Sequence, residues 1–125
     1  MIGYVTIGTN DFDKAAAFYD ALFKEMGAGR MMASDNFIAW GTGMDAPAIS
    51  IIRPNDGRPA TAGNGTMIAM PFDSHDKVAA IHARALELGA EDEGEPGVRN
   101  GSFYAAYFRD LDGNKFCCFN MGGGA

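Results

Sequence analysis

The residue types that most often do chemistry are scarce in this chain. There are two cysteines and two histidines among 125 residues. The cysteines are neighbours, Cys117 and Cys118, which is no disulfide framework. On a strand they point to opposite faces, so a reduced, cytoplasmic protein is expected. Basic residues are also few, with 10 Lys and Arg against 16 Asp and Glu, a net charge of −6. That balance argues against binding nucleic acid or an anionic membrane surface, because both depend on Lys and Arg. No apolar run approaches the roughly 18 residues of a membrane span, and no signal-peptide pattern opens the chain. A Ser-His-Asp order, a Gly-rich phosphate loop and a Cys-x-x-Cys pair are missing as well.

What is present reads as one globular domain, long enough to bury a core. The hydrophobic fraction is 47%, well above that of a disordered chain. Ile2 to Ile7 alternates, with Val5 and Ile7 on one face and Tyr4 and Thr6 on the other, as in a strand. Asn10 or Asp11 is placed to cap a helix over Asp13 to Met26, whose apolar residues recur at helical spacing. Gly27 ends it. Short strands are expected at about 29–33, 36–41 and 47–53, separated by Ser34-Asp35 and a Gly-rich stretch. The segment 54–64 reads as a surface connection, with a lid over a pocket as the sharper alternative. The second half repeats the scheme: a strand at Gly65 to Met70, then Ser74 capping a helix over His75 to Leu88. Gly89 stops that helix, a weak strand follows near 91–97, and two strong strands flank Asp112-Gly113. Glu25-Met26-Gly27-Ala28 and Glu87-Leu88-Gly89-Ala90 close the two helices in the same way. A duplicated module, 1–56 and 63–121, accounts for this agreement. Gly122 to Gly124 reads as a tail.

Of the histidines, His82 lies one helical turn from Val78 on the core-facing stripe and reads as structural. His75 opens the second helix and is expected in solvent.

The most informative stretch is Phe103 to Phe119, two aromatic-rich runs around Asp110-Leu111-Asp112-Gly113-Asn114. Asp-Gly marks a hairpin turn, because Gly adopts positive φ freely. The stretch resembles the closing hairpin of the vicinal-oxygen-chelate superfamily, which contains the glyoxalases, bleomycin-resistance proteins and extradiol dioxygenases. There a D-P-D/E-G-N turn is followed, three residues after the Asn, by a metal-binding Glu. Ala-Phe-Tyr-Asp-Ala-Leu at 17–22, the stretches 57–61 and 63–66, and Glu95 to Arg99 carry the same resemblance.

The resemblance implies an α+β fold of two β-α-β-β-β modules, with mixed sheets curled into half-barrels and helices outside. It also implies a homodimer and a cleft for a small ligand. Its four metal positions fall here on Tyr4, Ser50, Met67 and Cys117. None is the imidazole or carboxylate that such a metal shell uses. The expectation is therefore a protein without metal or other cofactor that binds a small molecule in an apolar cleft. Candidate lining residues are Tyr4, Thr6, Ser50, Met67, Ala69, Tyr107 and Cys117, with Trp40 if its strand turns it inward. Arg99 and Arg109, near the ends of the same hairpin, are candidate forks for a ligand carboxylate or phosphate, with a solvated role as the plainer reading. No catalytic residue is assigned. The alternatives are a lyase, isomerase or dioxygenase of the same superfamily with an unusual or absent metal shell, and a regulatory dimer with a vestigial cleft.

Overall fold

The computed structural model describes residues 1–122; beyond Gly122, the expected tail lies outside them. The chain divides into two compact units, Met1–Ala62 and Gly63–Ala125. In the first, β1 (Tyr4–Gly8) leads into α1 (Phe12–Lys24), followed by β2 (Gly29–Ala33), β3 (Phe37–Gly41) and β4 (Ala48–Ile52). In the second, β5 (Ile68–Pro71) leads into α2 (His75–Glu87), then β6 (Glu91–Asn100), β7 (Phe103–Arg109) and β8 (Lys115–Asn120). The sheet orders are β1-β4-β3-β2 and β5-β8-β7-β6. Each sheet joins its first and last strands in parallel and the remaining pairs antiparallel. This is the α+β arrangement of two modules expected above.

The same local devices set both helices. Asp11 caps α1 by accepting from the Lys14 amide at 3.2 Å, and Ser74 caps α2 by accepting from the Lys77 amide at 3.1 Å. Each satisfies a donor that a helix start leaves open. At the other end Gly27 and Gly89 take φ of 74° and 108°. The chain then folds back, so that the Ala28 amide donates to the Phe23 carbonyl and the Ala90 amide to the Ala85 carbonyl. That closure satisfies carbonyls left over at the helix end.

Each helix covers one face of its sheet. In the first unit Phe18, Tyr19, Leu22 and Phe23 of α1 are buried, together with Ile7, Ile38, Trp40 and Ile51 of the sheet. In the second, Val78, Ile81 and Ala85 of α2 are buried, together with Met70, Phe108, Phe116 and Cys118. The rings of Phe108 and Phe116 stack at 5.2 Å, with their planes 3° apart. Large side chains buried in this way contribute about 1.5–3 kcal/mol each.

The closing turn is built around one carboxylate. Asp110 accepts from the amides of Asp112 and Asn114 at 2.9 and 2.8 Å and from the Asn114 side-chain amide at 3.0 Å. Gly113 supplies φ of 87°. A proline at 111 is therefore dispensable, since the carboxylate itself organises the backbone.

Two expectations change in detail, and a third segment gains an anchor. β6 runs to Asn100 rather than 97, despite Pro96, because register shifts let its ladder with β7 skip residues. His75 does not stand free in solvent: its ring stacks on Tyr104, 3.9 Å between centroids and 7° between planes. The 54–64 segment is pinned at Ala60, whose amide donates to Asn10 Oδ1 at 2.7 Å and whose carbonyl accepts from Asn10 Nδ2 at 3.1 Å. No helix among the described residues is long and apolar enough to cross a membrane.

Candidate functional site

Because side chains alternate along a strand, the sheet face turned away from each helix follows from the register. In the first unit Thr6, Ser50 and Ala39 lie abreast on β1, β4 and β3, with Tyr4 two residues before Thr6 on the same face. The Thr6 and Ser50 hydroxyls are 2.8 Å apart, and Ser50 Oγ donates to the Val5 carbonyl at 2.9 Å. Ser50 has one proton, so Thr6 donates to Ser50. Ser50 is wholly buried, whereas Tyr4 is exposed and meets Phe37 edge-on at 6.3 Å. Trp40 does not join this group. It is turned to the helix side, with ring centroids 5.5 Å from Tyr19 and 5.8 Å from Phe23. Its indole N–H donates to Asp20 Oδ1 at 2.9 Å.

In the second unit Ala69, Cys117, Tyr107 and Gly94 lie abreast across all four strands. The face is the one away from α2, since Cys118 and Phe116 on β8 are packed on the other. Met67 precedes β5 and is half exposed. Tyr107 and Cys117 are direct partners across the β7–β8 ladder. The Arg99 guanidinium carbon lies 5.4 Å from the Tyr107 ring centroid, as does Lys115 Nζ. Arg99 is held by its own strand, donating to the Gly97 carbonyl at 2.9 Å and the Glu95 carbonyl at 2.6 Å. It forms no ion pair with any described carboxylate, whereas Lys115 has Glu93 at 3.9 Å.

Two residues of this cluster escaped the sequence reading. One is Lys115. The other is Gly94, where an added Cβ would sit 2.9 Å from Tyr107 Cδ2 and 3.1 Å from Arg99 Nη2. Its missing side chain lets the phenol ring and guanidinium lie close over the sheet. A glycine inside a strand is the signal for such close approach.

Both cysteines are buried, Cys117 at 1% and Cys118 at 0% exposure. Access from the open face is therefore narrower for Cys117 than strand alternation alone implies. Burial pushes the Cys118 thiol up to about 12. Burial also raises Cys117, opposed by the Tyr107 hydroxyl and the nearby Arg99 and Lys115 charges. Tyr107 is raised too, first by burial and then by Cys117. Both groups are neutral at physiological pH.

These donors do not fit a divalent cation. Ser50 has committed its proton to a backbone carbonyl, Cys117 is held as a thiol, and Tyr4 and Met67 offer a phenol and a thioether. Among the described residues no group of three or more His, Cys, Asp or Glu is arranged to hold a metal.

The fold and this donor set can be set beside known proteins. The model of the glyoxalase-like domain matches residues 4–119. The chain belongs to the glyoxalase-like family. A glyoxalase/bleomycin resistance protein from Albidiferax ferrireducens T118 is 33% identical with a TM-score of 0.88, over 98% of this chain and 99% of that one. An enzyme of the glyoxalase/bleomycin resistance protein/dioxygenase family from Burkholderia phytofirmans PsJN shares the fold at 22% identity and TM-score 0.77, over 96% and 98% of the two chains. Lactoylglutathione lyase from Agrobacterium tumefaciens shares it at 18% identity and TM-score 0.70, over 96% and 92%. No curated protein matches the chain. Within this glyoxalase-like fold, the second unit's open face gathers Ala69, Cys117, Tyr107 and Arg99, while the first unit's gathers Tyr4, Thr6 and Ser50.

Proposed function

We propose that this glyoxalase-like protein binds a small organic anion without a metal, an apolar body resting on the open sheet face and its carboxylate or similar group on Arg99. The observation that carries this reading is the Arg99 guanidinium, fixed over Tyr107 by two strand carbonyls and lacking a carboxylate partner among the described residues. A preorganised, unneutralised guanidinium offers a planar fork to a carboxylate at little entropic cost. Ala69, Met67 and the Tyr107 ring supply the apolar contact, and the cross-strand pair Tyr107 and Cys117 forms the floor. Binding is favoured over catalysis by the charge state of that floor. A thiol and a phenol both raised above their ordinary ranges are poor bases and poor nucleophiles at neutral pH.

The test is a titration of purified protein with benzoate, phenylacetate and indole-3-acetate, each against its neutral amide. The acids are expected to raise the melting temperature by mass action, and Arg99→Gln to weaken them about tenfold or more. Elemental analysis of the same protein is expected to find no stoichiometric zinc, nickel, iron or manganese. Equal binding of acid and amide, or one equivalent of metal, refutes the reading.

A further inference from the structure

We propose that the first unit carries a second binding site, on the helix side of its sheet, for a small zwitterion that bears both an ammonium and a carboxylate, such as a free α-amino acid. A groove of about 470 Å³ runs there between α1 and the β2–β3 hairpin, well within the size range of small-molecule sites. Its apolar floor is Ala16, Ala17 and Ile38. Its charged rim decides the ligand. Arg30 and Asp20 cancel one another, since the guanidinium donates to both carboxylate oxygens at 2.9 and 2.8 Å. Arg53, Asp13 and Asp35 also line the groove, and none of them forms an ion pair among the described residues.

Arg53 is held in place while its donors stay available. Its backbone N–H donates to the Asn36 carbonyl at 3.0 Å, and its Nε donates to the Asp35 carbonyl at 3.2 Å. Its guanidinium carbon lies 4.6 Å from the Phe12 ring centroid, a stacking contact that leaves the edge of the guanidinium open. Both Nη groups therefore remain for a ligand carboxylate. A simple anion would reach Arg53 only beside the carboxylates of Asp13 and Asp35, and a simple cation would meet Arg53. A molecule with an ammonium beside its carboxylate satisfies both signs at once. Its side chain then lies on the Ala16–Ile38 floor.

Trp40 supplies the readout. It is the single tryptophan of the chain, and its indole N–H is bonded to Asp20 on the groove wall. ¹⁵N-labelled protein is titrated with L-leucine and with L-phenylalanine, each beside its N-acetyl derivative and its methyl ester. At least one free amino acid is expected to shift the Trp40 indole and the Ser34 and Asp35 amides saturably, with Kd about 1 mM or tighter. The N-acetyl and ester forms, each lacking one charge, are expected to bind about tenfold more weakly or worse. Arg53→Gln should weaken the free amino acid to a similar extent. Arg99→Gln, which should weaken the anion site proposed on the other unit, should leave it unchanged. No saturable shift with either amino acid, equal binding of the blocked forms, or an unaffected Arg53→Gln variant overturns the proposal. An effect of Arg99→Gln would likewise overturn it and move the binding to the second unit.

Discussion

The two units share a backbone plan but divide their interior volume in opposite ways. Counting back from Gly27 and Gly89, Phe23 of α1 corresponds to Ala85 of α2, and Tyr19 to Ile81. In the first unit the helix brings rings, and the sheet answers with Ile7, Ile38, Ile51 and Trp40. In the second the helix brings Val78, Ile81 and Ala85, and the sheet supplies the stacked Phe108 and Phe116. Close packing requires only that the summed volumes fill the space between the layers. It does not prescribe which layer carries the rings. The same count aligns Asp20 with His82, and each ties its helix to its sheet through a polar bond. Asp20 accepts from the Trp40 indole, while His82, 3% exposed, places Nε2 3.1 Å from both the Tyr107 carbonyl and Asp92 Oδ1. A position seven residues, about two helical turns, before the closing glycine thus serves as a polar anchor in both units, through different chemistry.

Substitutions that upset this division should have the largest effect. Phe116→Ala in the second sheet and Phe23→Ala in the first helix each remove a ring buried almost completely, and each should cost about 3–5 kcal/mol in urea unfolding. Ala85→Phe, which copies the first unit's solution into the second, should also destabilise, by about 1–3 kcal/mol, because rings already occupy that layer. A neutral or stabilising Ala85→Phe would show that the two interiors are interchangeable after all.

A smaller, kinetic difference separates the two faces of β8. Iodoacetamide should modify Cys117 before Cys118 in the native protein, as read by peptide mapping. Both should react more slowly than free cysteine at pH 8, because the thiolate is the nucleophile and burial has raised both thiols. The rates should climb with pH beyond the ordinary thiol range. Cys118 reacting first would place β8 out of register by one residue.

The smallest effect concerns the anchor of the first unit. The Arg30 fork, with help from the Trp40 indole, holds the Asp20 carboxyl below its ordinary value of 3.8. A lowered folded-state value contributes stability above the unfolded value, and that stability is lost as pH falls through the folded one. Both partners are over two-fifths exposed, so water screens the pair and the contribution is about 0.5 kcal/mol, at most 1. Asp20→Asn should lower the urea midpoint slightly at pH 7, and the gap should narrow below about pH 4. A gap that persists in acid would assign the effect to packing against Trp40 rather than to charge.

How far these differences were legible in the sequence depends on the kind of signal. Asp11, Ser74, Gly27 and Gly89 act within a few residues of themselves, so both helices were readable from local chemistry. β2, β3 and β4 were readable because turn residues bracket them. Trp40's face was not, since Phe37-Ile38-Ala39-Trp40 is apolar on both sides and alternation cannot say which side meets the helix. β6 was foreshortened because Pro96 and its glycines break the strand pattern that the register shifts accommodate. Within the candidate site, the alignment of Ala69, Cys117 and Tyr107 follows from counting along strands. The covering of Cys117 and the seat of Arg99 over Tyr107 do not, because they depend on long side chains reaching across from neighbouring strands. The stack of His75 on Tyr104 escaped for the same reason: it joins positions far apart in the chain.

The irregularity of β6 also bears on how the protein meets others of its kind. It is one of the two edge strands of its sheet, paired on one side with β7. Pro96 removes an amide hydrogen from its backbone, Glu91, Asp92, Glu93 and Glu95 load it with like charge, and its ladder shifts register three times. A bare strand edge is a template for aggregation, and charge, proline and bulges are the features that blunt one. β6 combines all three. Crowded copies of this chain therefore gain little by zipping together along that edge, and the protein is guarded there against the runaway strand addition that seeds amyloid.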